Sequence, residues 1–355
     1  MTQESPLRSA DSPLWRRLLI SAGSAFATLC VVAMLGAVAF LWVYAGPGPK
    51  AVQGDSTTVI LRQGAGLSEI ASTLRRAHVI GSAALFEAAT QITRTSRRLK
   101  AGEYEIPSGA PIRAIIEKIR KGEIVHHMVT IPEGLTSEQV VDILMANPVL
   151  TGAAPIPAEG AILPETYEVR RGEDRSAVLQ RMMDAHDVLL RVLWAQRRAD
   201  LPLTSPEQAV ILASIVEKET GVASERPRVA AVFVNRLQKG IKLQSDPTIV
   251  YGLTRGKPLG HGIRASELAS QTPYNTYQIT GLPPTPICNP GRASIAATLD
   301  PPKTNDLYFV ATEGGRSSFA SSLGEHNKNV EHYRGLERAR AGAAAAKPAH
   351  TAGLR

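Results

Sequence analysis

The chain has 355 residues, a formal net charge of +8 and 44% hydrophobic residues. That supplies a sizeable core and two folded units, and it excludes a chain disordered throughout. Cys30 and Cys288, the only cysteines, stand far apart without CxxC or Cys/His spacing, and the eight histidines form no HExxH pair; no disulfide framework, metal or other cofactor is expected.

Residues 1–17 carry Arg8, Arg16 and Arg17, and an uncharged run follows from Leu18 to Tyr44. The run exceeds the ~20 residues needed to cross a bilayer. With the arginines before it and Trp42 and Tyr44 at its far end, the positive-inside rule puts 1–17 in the cytoplasm and everything after Tyr44 outside. "AVA" at Ala37 to Ala39 resembles a signal-peptide cleavage site, but the apolar run is longer than the ~7–15 residues of a signal peptide, which favours an anchor. A basic balance also suits nucleic acid, yet an extracytoplasmic domain seldom meets it. The charges of "RTSRRLK" at Arg94 to Lys100 are then a solvated face, and no nucleic-acid partner is expected.

After a Gly/Pro-rich linker at 45–56, "TTVIL" at Thr57 to Leu61 reads as a strand, and Leu67, Ile70, Ala71 and Leu74 recur at helical spacing. A similar strand-turn-helix pattern returns at Val129 to Ile131, Gly134 and Val140, Val141 and Leu144, a weak internal repeat. Between the two, Ile112, Ile115, Ile116 and Ile119 form one stripe of an amphipathic helix that stops at Gly122. These patterns group 57–145 into one small module.

"TSPEQ" then opens a helix, with Ser205 as cap, Pro206 at its first position and Gln208 completing a capping box. The helix is expected over Pro206 to Thr220. Val210, Ile211, Leu212, Ile215 and Val216 point in nearly every direction, so it is buried on most sides, yet it ends in two carboxylates, Glu217 and Glu219. At 100° per residue Glu217 falls over Val210, Ala213 and Ser214 and Glu219 over Leu212, Ile215 and Val216. The smaller neighbours leave room for a concave surface above Glu217, the setting of a general acid with a raised pKa; the competing reading is a structural ion pair with Arg226 or Arg236. A second helix follows with Val229, Val232, Phe233 and Leu237 inward and Gly240 as its stop. Asp246 before Pro247 is placed to cap a third. Tyr274, Asn275, Thr276 and Tyr277 then lie on a proline-rich segment whose rings and polar groups suit a sugar.

"ASIVEKETG", "ERPRVAAVFVNRL", "LQSDPTIVYG", "TPYNTYQITGLPPTPICNPG" and "LYFVA" followed by "FASSLGEHNKNV" resemble the YceG-like, or MltG, family of endolytic murein transglycosylases. The resemblance runs from about Thr57 to Tyr333; it departs at "EGAILPETY", where the family often has an aromatic residue and Asp. It implies an α+β fold: a transmembrane helix at 18–44, a LysM-like βα subdomain at 57–145 and a mixed α+β catalytic domain at 159–335. The tail at 340–355 matches nothing and is expected to be disordered. The resemblance also implies Glu217 as the catalytic acid, cleaving the β-1,4 bond between MurNAc and GlcNAc as the sugar's own 6-hydroxyl closes on C1. Asp246, Tyr274, Asn275, Tyr277 and Glu219 are the expected substrate contacts; Glu219 either raises the pKa of Glu217 or only holds the helix end. The implied partners are glycan strands and peptidoglycan synthases, and the implied location is the cytoplasmic membrane with the catalytic domain outside. A muramidase-type hydrolase using Asp246 or Glu219 as second carboxylate, and a non-catalytic glycan-binding scaffold, are the alternatives.

Overall fold

The computed structural model describes residues 14–312 and 316–345. The chain divides into two compact units, Met1–His126 and His127–Arg355. The first begins with α1, Leu14–Ala45, whose stretch Ser21–Ala45 has a mean hydropathy of 2.4 and is long and apolar enough to cross a membrane. At its C-terminal end Phe40 stacks on Tyr44 at 5.7 Å, and both, with Val43, lie against the first unit's core.

That core is built on a two-stranded antiparallel sheet, β1 (Ser56–Leu61) with β2 (Gly102–Pro107), in which Val59 faces Tyr104. Strand alternation buries Val59 and Leu61 and leaves Ile60 exposed. Helices α2 (Leu67–Arg76), α3 (Ala83–Ile92) and α4 (Ile112–Lys121) cover the sheet, and α4 buries the expected stripe of Ile112, Ile115, Ile116 and Ile119. Gly122 ends α4 in the left-handed conformation, φ 77°, with its N–H donating to the Lys118 carbonyl.

The second strand-turn-helix pattern does not join this module. Strand β3 (His127–Thr130) pairs with β4 (Thr166–Val169), and α5 (Ser137–Ala146) packs with them and with α6 (Arg175–Ala195) in the second unit. The expected boundary near 145 therefore moves to 126. A two-stranded sheet has to bury one face, and β3 finds both its partner strand and its apolar cover downstream.

The second unit is centred on α7, Pro206–Glu219, opened by Ser205, whose hydroxyl accepts from the Gln208 N–H. Ala209 through Val216 are all buried, since α6, α8 (Arg226–Gln238), α9 (Asp246–Thr254) and α11 (Arg292–Leu299) surround it. A four-residue helix, α10 (Ala265–Leu268), lies on the intervening loop. The chain closes with the hairpin β5 (Tyr308–Ala311) and β6 (Ser317–Ala320) and with α12, Leu323–Ala345, packed on both strands. The tail expected to be disordered from 340 is helical to Ala345, in keeping with the high helix propensity of its alanines. Residues 346–355, and 1–13 of the expected cytoplasmic tail, lie outside the described residues.

Gly160 marks where the chain touches this core most closely. Its φ is +82°, and a Cβ there would stand 2.6 Å from Pro286 Cγ and 3.0 Å from Val210 Cγ1, so Gly160 meets both a conformational and a steric demand. Leu212 is fully buried on α7. Leu212→Ala is expected to destabilise the second unit by roughly 2–5 kcal/mol, read as a lowered midpoint of its thermal transition with the first unit's transition unmoved.

Candidate active site

The two carboxylates ending α7 enter different surroundings. Glu217 is 6% exposed at its side chain and carries an ion pair, with Arg226 Nη2 3.5 Å from its Oε1. Its other oxygen accepts from the Gly291 N–H at 2.9 Å. Arg226 also faces Glu133 Oε2 at 3.6 Å. Burial, reinforced by the Glu217 charge, pushes the Glu133 carboxyl up against the pull of Arg226. The concave surface expected above Glu217 is filled by the chain itself. The Ile287 N–H donates to Ser214 Oγ and the Cys288 thiol to the Ser214 carbonyl, so the small residues of α7 make room for the loop at 287–291. A Cβ at Gly291 would overlap the Glu133 carboxylate; glycine there is what lets the backbone N–H reach Glu217 with Glu133 alongside.

Glu219 instead borders a cavity of about 400 Å³ lined by Arg236, Gln244, Asp246, Tyr277, Tyr308 and His326 among others. Its carboxylate accepts from the Ser245 hydroxyl at 2.5 Å. Burial pushes the Glu219 carboxyl up to about 7; the Ser245 hydrogen bond opposes this, the Asp246 charge adds to it, and Arg236 pulls the other way. Arg236 stays a remote charge because its guanidinium is spent on carbonyls, Nε on Leu307 at 2.6 Å and Nη1 on Leu243 at 2.8 Å.

Ser245 is fixed by buried hydroxyls. Its N–H donates to Thr276 Oγ1 at 2.9 Å, its carbonyl accepts from Thr248 Oγ1 at 2.6 Å, and the two threonine hydroxyls bond each other at 2.9 Å. All three residues are fully buried. This network joins the start of α9 to the segment after Pro273 by contacts between residues 28 and 31 positions apart, which local sequence pattern does not contain. The expected cap, Asp246, is the first residue of α9, with Ser245 at the cap position. Freed of capping, Asp246 accepts from Tyr277 OH at 2.7 Å.

Asp246, Tyr277 and Glu219 thus share one cavity, and Asp246 also borders a second one of about 340 Å³ with Lys218, Tyr251 and Lys257. The other expected contacts do not join them. Asn275 is fully buried, and its amide donates to the carbonyls of Leu268 at 3.0 Å and Ser270 at 2.8 Å while its Oδ1 accepts from the Tyr277 N–H. That side chain builds the loop and has nothing left for a sugar. Tyr274 is likewise enclosed, its ring edge-to-face with Tyr251 at 5.0 Å and its hydroxyl bonded to Thr285.

Residues 59–332 match the model of the YceG-like family. The chain belongs to that family. Among its relatives is a Bacillus subtilis protein named endolytic murein transglycosylase, 28% identical over 79% of this chain and 87% of its own length. A Streptococcus pneumoniae protein of the same name is 28% identical over 78% of this chain; the match spans 58% of that longer relative. A crystal structure of a YceG-like protein from Listeria monocytogenes is 29% identical with a TM-score of 0.49, covering 77% of this chain and 98% of that one.

The raised Glu219 carboxyl has a consequence for stability. The native state keeps a proton on Glu219 up to about pH 7, whereas the unfolded chain releases it near the ordinary glutamate value of 4.5. Stability from this group is fully present below 4.5 and is lost as pH rises through 7, a change on the order of 3 kcal/mol. Glu219→Gln is therefore expected to flatten the stability–pH curve above pH 5 and to exceed the unsubstituted protein in stability at pH 8, as measured by denaturant melts across pH.

Proposed function

We propose that this YceG-like protein is a membrane-anchored endolytic lytic transglycosylase of peptidoglycan, with Glu219 as its general acid. The reaction is supported by the name its relatives carry and by the family to which the chain belongs. One observation carries the assignment of the acid: Glu219 combines a carboxyl raised to about 7 with a position on an open cavity. An acid must hold its proton at the working pH and reach the leaving oxygen, and only a carboxyl withdrawn from water yet bordering a cleft does both.

The chemistry follows from one such group. Glu219 donates its proton to the β-1,4 oxygen between MurNAc and GlcNAc as the C1–O bond breaks. The muramic 6-hydroxyl oxygen bonds to C1 and passes its proton to the Glu219 carboxylate just formed, leaving a 1,6-anhydro end without consuming water. A nucleophile tethered to the reacting ring has a high effective concentration, so the second protein carboxylate used by ordinary glycosidases is dispensable. Asp246 and Tyr277, locked together, present a carboxylate and an aromatic face to the sugar.

The alternative acid is Glu217, which the family resemblance implies. Its two oxygens are taken up by Arg226 and the Gly291 N–H, a tie between elements that suits a structural carboxylate. On this reading α1 is the anchor, with its N-terminus in the cytoplasm and both units outside. The βα module of the first unit is a LysM-like glycan-binding subdomain, and peptidoglycan synthases are the partners whose nascent strands are cut.

Purified full-length protein in detergent, incubated with uncrosslinked glycan strands, should release fragments with anhydro ends by mass spectrometry. Glu219→Gln should lower the rate by at least ~10²-fold. Reducing ends would make the enzyme a hydrolase, and loss of activity in Glu217→Gln with Glu219→Gln fully active would move the acid to Glu217.

A further inference from the structure

The cavity that holds Glu219 contains a titratable group that the reaction as described leaves unused. His326 reaches it from the first turn of α12. Its ring stacks on Tyr308 of β5 with centroids 5.1 Å apart and planes 24° from parallel. The Tyr308 ring in turn lies over the Arg236 guanidinium at 5.0 Å. The imidazole and the guanidinium thus both pack on the Tyr308 ring, which holds the histidine at the wall of the cavity. The guanidinium is itself pinned by the carbonyls of Leu307 and Leu243. Despite this fixed setting, His326 Nδ1 is buried with no hydrogen-bond partner among the described residues. A buried polar atom without a partner is costly, on the order of 1–3 kcal/mol, and calls for a purpose beyond packing.

We propose that His326 is a catalytic residue of this site, its imidazole accepting the proton of the attacking sugar hydroxyl while Glu219 protonates the leaving oxygen. The inference rests on the transglycosylase reading above and deepens it. The step balances without a further reactant. The 6-hydroxyl O–H bond breaks and its proton passes to the imidazole, O6 forms a bond to C1, C1 releases the glycosidic oxygen, and that oxygen takes the proton of Glu219. The site is left with an imidazolium and a carboxylate, and proton exchange with solvent returns both to their starting forms. Two groups with separate proton duties remove the need for one carboxyl to give and take within a single displacement.

The charges around His326 favour the form the step requires. Glu219 of α7, Arg236 of α8, Asp246 of α9, Tyr277 and Tyr308 border the same cavity. Burial, with the Arg236 charge adding to it, holds His326 below its usual 6.5. The neutral, accepting imidazole therefore prevails near neutral pH, where Glu219 still holds its proton. The rate should rise with pH as His326 loses its proton below 6.5 and fall as Glu219 loses its own near 7.

The test uses the full-length protein in detergent with uncrosslinked glycan strands, measuring kcat and KM for anhydro-ended product against pH in wild type, His326→Gln and His326→Ala. The inference expects kcat to fall roughly 10²-fold or more in both variants at little-changed KM, with loss of the acidic limb of the profile. It also expects partial recovery of His326→Ala by added imidazole, which a merely structural residue would not show. Circular dichroism that matches wild type keeps the variants interpretable. A raised KM at unchanged kcat, or a lower kcat with the acidic limb intact and no rescue by imidazole, would overturn the role. The two readings fail separately: reducing ends from wild type remove the transglycosylase, whereas anhydro ends from wild type and from a fully active His326→Ala remove only the histidine.

Discussion

The hydrogen bond from Ser245 to Glu219 is the contact on which the candidate site turns. It joins the last residue of α7 to the cap position of α9, and it gives a carboxyl in a desolvating pocket one neutral donor in place of a cation. A guanidinium in that position would fix the charge, and no donor at all would leave the carboxyl free to swing. One hydroxyl holds its direction while burial keeps its proton. The buried hydroxyls of Thr248 and Thr276 hold Ser245 in turn, so the placement of one proton depends on a network that never touches substrate.

The same helix uses its two carboxylates for opposite purposes. Two residues apart on an α-helix, Glu217 and Glu219 point about 200° from each other. One meets Arg226 and the Gly291 N–H in a closed junction; the other meets a cavity. The closed junction has its own use, since it ties the end of α7 to the start of α8 and to the loop before α11. Holding α7 from that side leaves the Glu219 side to be shaped by α9, the segment around Tyr277 and the hairpin with α12.

Much of this architecture is legible in the sequence. The apolar segment of α1, the stripe of isoleucines on α4, the capping at Ser205 and the burial of α7 on most sides all follow from short-range patterns that tertiary structure respected. Both competing readings of Glu217 were also present, and the structure gives it the ion pair. What could not be read was which carboxylate faces open space. Small residues beneath Glu217 signal room, but the sequence does not show whether room is left for a ligand or taken by chain 70 residues later, as the loop at Ile287 and Cys288 takes it. Asn275 failed for a related reason: an amide on a proline-rich loop serves a sugar or its own backbone equally well, and three-dimensional contact decides. The boundary at 126 depends on β3 pairing with β4, a strand from residues 166–169 that local pattern around β3 does not contain.

A proton on Glu219 near neutral pH can be seen by carbon-13 NMR of protein labelled at the glutamate carboxyl carbons. The resonance that disappears in Glu219→Gln should titrate with a midpoint of about 7 and move higher in Ser245→Ala, which removes the hydrogen bond that favours the charged form. A midpoint at the ordinary glutamate value for that resonance would contradict the account.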